Sequence, residues 1–405
     1  MAILYISYDG LLEPLGQSQV LQYVTRLAAR YPLTLLTFEK RADWRQTTKR
    51  RAIEEQVRKA GVRWIPLRYH KRISPIATSY DLLRGLLVCG AIVLLYRIRV
   101  VHARSYVAAL LALAMKKLFG ARFLFDMRGF WADERVEGGL WPKGGRLYRL
   151  AKWWERRFLT HADAVVSLTH AGVEAMRRFP CLEVRAPRFA VIPTCTNRGL
   201  FKPQTCAEPR RPPGAAGEPF TLGHVGAVGL WYQFEATAAC FALLLSMQPR
   251  ARFLILNRDA HEFIRDRLAA HAAPSSQVEV KAVDYPDVPR EMGRMHAGVF
   301  FIKPVFSKLA SAPTVLGEFL SCGIPCLSNA GVGDVEEILE GERVGVAIRE
   351  FTPEAMRHGL ARLLALTEEP DISQRCVGAA AKHFDLEAGV AAYARLYADL
   401  HAGAA

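Results

Sequence analysis

The sequence predicts an α/β protein of two Rossmann-like, doubly wound domains facing a central cleft. Three observations carry that expectation: a chain of 405 residues of which 51% are apolar, short β-rich runs alternating with helical stretches, and a compositional break after which the alternation restarts. This length exceeds one ordinary hydrophobic core and suits two domains of roughly 200 residues.

In the first half, Ile3–Ser7, Leu33–Phe38, Val62–Leu67, Val100–Ala103, Arg122–Asp126 and Ala164–Leu168 read as strands. Between them, Gln17–Arg30, Thr47–Ala60, Tyr80–Leu95, Val107–Phe119 and Gly145–Thr160 place apolar residues at helical spacing. Strands apolar on both faces and separated by helices indicate a parallel sheet covered on both sides. Lys202 to Pro219 is crowded with Pro, Gly, Ala and Arg and reads as a linker. The alternation resumes with Thr221–Gly226, Phe253–Asn257, Val278–Val283, Gly298–Ile302, Pro325–Ser328 and Val344–Ile348. The expected boundaries are an N-terminal domain over 1–203, a linker over 204–219, a C-terminal domain over 220–385, and a closing helix over 386–405 that packs back toward the N-terminal domain.

Charge is unevenly placed. Residues 1–205 hold 35 Lys and Arg against 15 Asp and Glu, a balance of +20, whereas residues 206–405 hold 19 against 24, a balance of −5. A single-sign field of this size draws a protein to an anionic surface, and lipid head groups are the expected partner. The sequence has no zinc-finger spacing, RNP-like strand or basic low-complexity arm, so no nucleic-acid partner is expected. The eight cysteines form no CxxC pair and no metal-ligand spacing; they are expected to be reduced core residues, and no metal or cofactor is expected. Met1-Ala-Ile-Leu-Tyr-Ile-Ser7 enters a strand pattern directly, which predicts a cytoplasmic protein. The apolar run Leu86 to Tyr96 falls short of the ~20 residues that cross a bilayer, leaving a buried helix or one lying in the membrane surface.

Three segments carry candidate chemistry. The loop Asp9-Gly10 through Gly16-Gln17-Ser18 follows the first strand, where glycines admit a close ligand and a helix N-terminus offers N–H groups to an anion. Asp126-Met-Arg128-Gly129 follows a buried strand, where a doubly wound domain presents reactive groups. The third runs from Lys303 through Lys308 to Pro313-Thr314-Val315-Leu316-Gly317-Glu318 and Gly323-Ile-Pro325. Lysines beside a helix N-terminus suit a diphosphate, and an acidic residue suits ribose hydroxyls.

With Ile192-Pro193-Thr194-Cys195, Gly226 followed by Trp231-Tyr232, and a closing Tyr393-Ala-Arg-Leu-Tyr397, these pieces resemble, in order and nearly end to end, the retaining GT-B glycosyltransferases of group 1, or family 4. The Asp-x-Arg-Gly pattern at Asp126 is that of a subgroup. The resemblance implies a nucleotide-sugar held by the C-terminal domain, with Glu318 at the position of the second glutamate of an E-x7-E motif that binds ribose. The first glutamate falls at Ala310. The cation often found after the first C-domain strand is absent from Gly229-Leu-Trp-Tyr-Gln233, and a lysine that follows Pro-Thr in some members is Val315.

These departures shift diphosphate recognition to Lys303, Lys308 and Arg258, with Gly16, Gln17, Gly226, Thr314 and Gly317 as further donor-site residues and Asp126 and Arg128 as the catalytic pair. The expected activity is transfer of a sugar, metal-independent and with retention, to a saccharide or lipid-linked acceptor in cell-surface polysaccharide or lipopolysaccharide synthesis at the inner face of the plasma membrane. A GT-B nucleotide-sugar epimerase and a catalytically silent sugar-nucleotide-binding assembly partner remain as alternatives.

Overall fold

The computed structural model describes residues 1–70, 74–183, 185–203 and 219–402, without side chains for 74–78. The chain divides into two compact units, Met1–Ile192 with Glu387–Ala405, and Pro193–Leu386.

The first unit is built on β1 (Ala2–Ser7), β2 (Leu33–Glu39), β3 (Arg63–Arg68), β4 (Ile98–Arg104), β5 (Arg122–Asp126), β6 (Ala164–Ser167) and β7 (Arg188–Val191). They pair in parallel in the order β3-β2-β1-β4-β5-β6-β7. β2 is buried along its whole length and β1 nearly so, because helices cover both faces and no strand position is left for water. β7 was not foreseen; this four-residue edge strand begins with an exposed arginine, and its other three residues are only partly buried.

The second unit carries β8 (Thr221–Val225), β9 (Arg252–Leu256), β10 (Val278–Lys281), β11 (Ala297–Val299), β12 (Cys326–Asn329) and β13 (Gly345–Ile348), ordered β10-β9-β8-β11-β12-β13 and parallel throughout. The period-two alternation of side chains splits its core in two. Leu222, Phe253, Ile255, Val299 and Phe301 pack with Phe241, Leu244, Leu360 and Leu363. Val225, Leu254, Leu256, Phe300 and Ile302 belong to the other cluster, with Leu316, Phe319 and Leu320. In each unit the strand order reverses beside its first strand, at β1/β4 and at β8/β11, and ligands of such sheets bind beyond the carboxyl ends there.

The domain boundary differs from position 203. Residues 193–203 belong to the second unit, where the Thr196 N–H donates to the Phe384 carbonyl at 2.8 Å, Arg198 pairs with Asp385 at 2.9 Å, and the fully buried Phe201 packs against Tyr285. The expected linker lies, apart from Pro219, outside the described residues, as does Cys206. The seven described cysteines are free thiols. The helix Leu386–Ala402 lies on the first unit, where Tyr31 donates its hydroxyl to the Ala394 carbonyl at 3.0 Å.

The run expected at Leu86–Tyr96 is the end of a 22-residue helix, Ser74–Leu95, with Cys89, Ile92 and Val93 buried and Leu83, Leu87, Leu94 and Leu95 exposed. Among the described residues no helix is long and apolar enough to cross a membrane.

Candidate active site

At the carboxyl edge of the first sheet, the loop after β1 is closed on itself. Gly10 donates its N–H to Glu13, and the N–H groups of Leu11 and Leu12 go to the buried Glu39 carboxylate at 2.7 and 3.2 Å. Burial raises the Glu39 pKa above the usual carboxyl value against these hydrogen bonds and that of Thr37. A Cβ on Gly16 would stand 2.1 Å from the Gly10 carbonyl oxygen, so only glycine permits this approach. Gln17 donates its side-chain N–H to the Leu12 carbonyl at 2.9 Å. Carboxylates occupy the loop amides at 10–12, and Gly16 and Gln17 brace the turn. The segment Gln17–Leu21 is a π-helical turn rather than the regular helix expected.

Asp126, the last residue of β5, is 1% exposed. Its Oδ2 accepts from the Tyr393 hydroxyl at 3.0 Å and lies 3.4 Å from His102 Nε2. Oδ1 is buried with no hydrogen-bond partner, and Arg128 Nη1 stands 3.8 Å away. Burial alone would raise the carboxyl pKa; Arg128, His102 and Arg104 outweigh it and hold the group below its ordinary range, as an anion. Arg128 reaches back along the carboxylate because its own backbone is left-handed, at φ 61°, a conformation that costs a non-glycine residue about 1–2 kcal/mol. Arg104, at the end of β4, is buried and pairs with Asp9 at 3.4 Å. His102, Arg104, Tyr393 and Tyr397 were not foreseen as site residues. The polar pair His102 and Arg104 at the end of a largely apolar strand was the available signal.

In the second unit, the loops after β8 and β11 are bound to each other at the switch point. Tyr232 bridges Ile302 in antiparallel fashion, Gln233 N–H donates to the Phe301 carbonyl, and Lys303 N–H donates to the Trp231 carbonyl at 2.9 Å. Asn329 locks the same place by hydrogen bonds to both the N–H and the carbonyl of Ile302. This brings Trp231, Lys303 and Lys308 together. Lys308 is buried, with its Nζ 3.8 Å from the Trp231 ring centroid. Gly226 turns the chain at φ 107° and its carbonyl accepts from the Asn257 amide at 2.8 Å, while space for a side chain is open there. Arg258 is mostly exposed, 3.8 Å from Asp284.

Thr314 opens the helix Thr314–Ser321, whose N-cap, Pro313, provides no side-chain hydrogen bond to the first amides. Gly317 has a packing role: a Cβ there would meet Thr196 Oγ1 at 2.5 Å and the Phe384 ring at 3.0 Å. Glu318 is buried, and burial pushes its carboxyl up to about 8. Tyr232 and Tyr285 stand close enough that, beyond burial, the charge of Glu318 raises their hydroxyls. Among the described residues no ion pair to Glu318 offsets its burial.

Residues 16–195 match the family of the glycosyl transferase 4-like domain. The match lies in the first unit, but for its last three residues. The chain is accordingly an enzyme of the glycosyltransferase class, and its two parallel Rossmann-like sheets are the GT-B fold. Three solved structures share that fold. Sucrose-phosphate synthase from Thermosynechococcus elongatus is 17% identical, with a TM-score of 0.75 and full coverage of both chains. The HepE protein of Anabaena, in complex with UDP-glucose, is 12% identical with a TM-score of 0.65, over 98% of this glycosyltransferase and 100% of that chain. A lipopolysaccharide outer core galactosyltransferase, WaaB, is 11% identical with a TM-score of 0.60, over 95% and 96%. No functionally curated protein sequence matches this glycosyltransferase.

Proposed function

We propose that this chain transfers a sugar from a nucleotide-sugar to a hydroxyl of a saccharide or lipid-linked acceptor, with retention at the anomeric carbon. The observation that carries the reading is the group at the carboxyl edge of the second sheet: a buried acid, Glu318, with Lys303 and Lys308 fixed by the Trp231 loop. The acid accepts the two ribose hydroxyls, and the lysines with the first amides of the Thr314–Ser321 helix hold the diphosphate. Negative charge grows on the leaving diphosphate as its bond to the sugar breaks. Cations fixed in advance lower that barrier, and removal of one such donor costs roughly 2.7–4 kcal/mol. In this reading protein cations, not a metal, perform that task. In the first unit, the open Oδ1 of Asp126 accepts a hydrogen bond from a reacting hydroxyl, and Arg128 keeps the carboxylate ionised.

The acceptor is read as lipid-linked from one surface. The helix Arg146–His161 buries Ala151, Glu155, Phe158 and Leu159 but leaves Leu147, Leu150 and Trp153 in the open, among Arg146, Arg149, Arg156 and Arg157. Apolar side chains ringed by arginine are the chemistry of an anionic membrane interface, and the basic balance of the first half points the same way.

The UDP-glucose bound by HepE and the lipopolysaccharide galactosyltransferase of like fold guide the choice of probes. A thermal-shift panel of UDP-, GDP-, ADP- and dTDP-sugars, followed by nucleoside diphosphate release with the best binder, tests the reading. A stabilising nucleotide-sugar that turns over supports it. Binding without turnover on any saccharide or lipid-linked acceptor replaces it with the silent assembly partner, the alternative that Ala310 favours.

A further inference from the structure

The closing Tyr393…Tyr397 pair has no role in the donor site, yet it ends on the carboxylate of the first unit. Four residues apart, the two tyrosines lie on one face of the helix Leu386–Ala402. Both are buried, at 2% and 0% exposure. Tyr393 donates to Asp126 Oδ2 at 3.0 Å, and the Tyr397 hydroxyl lies 2.7 Å from His102 Nδ1. His102 Nε2 then faces the same Oδ2 at 3.4 Å. Burial drives His102 toward its neutral form and raises both tyrosine hydroxyls well above their ordinary range, so that they stay protonated.

The proton positions follow. Asp126, an anion, can only accept, so Nε2 of the neutral His102 carries the proton and donates to it; Nδ1 is then bare and accepts from the Tyr397 hydroxyl. Asp126 is then held by two donors on one oxygen, with the other oxygen left open.

We infer that Tyr393 and Tyr397 are positioning residues, which fix the ionisation and orientation of Asp126 and make the end of the chain part of the active site. The inference rests on the proposed role of Asp126. The charged and titratable groups around that carboxylate are Arg128 on its own loop, His102 and Arg104 from β4, Tyr5 and Asp9 from β1 and the loop after it, Tyr23 from the first helix, and Tyr393 and Tyr397 from the last. Among them Tyr393 and His102 are the neutral donors to the carboxylate, and Tyr393 makes the shorter bond, at 3.0 Å. A hydrogen bond to the charged form favours that form, so its loss must raise the Asp126 pKa.

The test compares Tyr393→Phe and Tyr397→Phe with Tyr31→Phe. The last removes a hydroxyl that fastens the same helix through the Ala394 carbonyl and touches neither Asp126 nor His102. The 13C resonance of the Asp126 carboxyl, assigned by its loss in Asp126→Asn, is titrated without substrate. The expected result is a higher midpoint in Tyr393→Phe and an unchanged one in Tyr31→Phe. The 15N shifts of His102 should show a bare Nδ1 in the wild type and lose that signature in Tyr397→Phe. UDP release from UDP-glucose should fall at least tenfold in kcat for Tyr393→Phe, with the donor KM unchanged. An unaltered carboxyl midpoint in Tyr393→Phe, or an equal shift in Tyr31→Phe, overturns the positioning role and leaves Asp126 as read. Full turnover by Asp126→Asn instead overturns the reading of the site, and the inference with it.

Discussion

Lys308 Nζ lies 3.8 Å from the centroid of the Trp231 ring, so the second unit holds an ammonium against an aromatic face beside the switch point of its sheet. A desolvated contact of this kind is worth up to about 2 kcal/mol. Trp231→Leu removes the face without touching the charge. Donor affinity, followed by calorimetric titration, should fall about tenfold in Trp231→Leu and further in Lys308→Met. Wild-type affinity in Lys308→Met would remove this lysine from the diphosphate site.

Glu318 gives a pH signature. Its folded-state pKa, about 8, lies above the ordinary carboxyl value of 4.5, so its contribution to stability is fully present below about 4.5 and is lost as pH rises through 8. Glu318→Gln escapes that loss. The Tm difference between Glu318→Gln and wild type should be near zero at pH 4.5 and grow in favour of the variant up to pH 8–9. A difference that does not vary with pH would mean the carboxyl is not held protonated by burial.

Asp126→Asn keeps the shape of the side chain and removes its charge. Catalysis by a positioned acid or base contributes about 10²–10⁴-fold, so nucleoside diphosphate release should drop by at least a hundredfold. Donor affinity, assigned to the second unit, should stay the same.

The exposed stripe on the Arg146–His161 helix predicts lipid binding. Wild-type protein should sediment with phosphatidylglycerol vesicles and not with phosphatidylcholine alone, and the association should fade as salt shortens the Debye length. A Leu147→Ser, Leu150→Ser, Trp153→Ser variant should stay in the supernatant and keep its Tm. If instead the same substitutions at Leu94, Leu95 and Leu118 abolish sedimentation, the membrane face lies on the other exposed surface of the first unit.

Gly317→Ala tests the packing assignment. The added carbon meets Thr196 and Phe384, and overpacking of this kind typically costs about 1–3 kcal/mol. A drop in Tm with retained donor affinity fits a helix wedged by its neighbours; loss of affinity with unchanged Tm would return Gly317 to the donor site.

Much of the fold was legible because the alternation of buried strands and helices is a local pattern. β1, β2, β5, β8 and β9 fall where period and composition place them. β7 was not, since Phe189-Ala-Val-Ile192 is a short run between arginine and proline, with neither the length nor the alternation that marks the other strands. The units divide before position 203, because the Pro- and Gly-rich break marks only where the chain loses pattern, whereas Thr196 and Arg198 are tied down before it by partners nearly 190 positions away and Phe201 packs on Tyr285. Contacts set only by folding also hid the first unit's site. Asp126 could be read from its place at a strand end, but its donors, Tyr393 and His102, meet it only after folding. Gly16, Gln17 and Gly317 were read as ligand contacts because glycine serves close approach of a ligand and close approach of backbone equally well.

The central claim is that Glu318 anchors a nucleotide-sugar. Calorimetric titration of the wild type and of Glu318→Ala, each with the nucleotide-sugar that most stabilises the wild type, tests it most directly. The account predicts saturable wild-type binding and at least a tenfold weaker Kd in the variant, at a Tm that confirms folding. Equal affinity in the two proteins, or no binding by the wild type to any nucleotide-sugar of the panel, would contradict it.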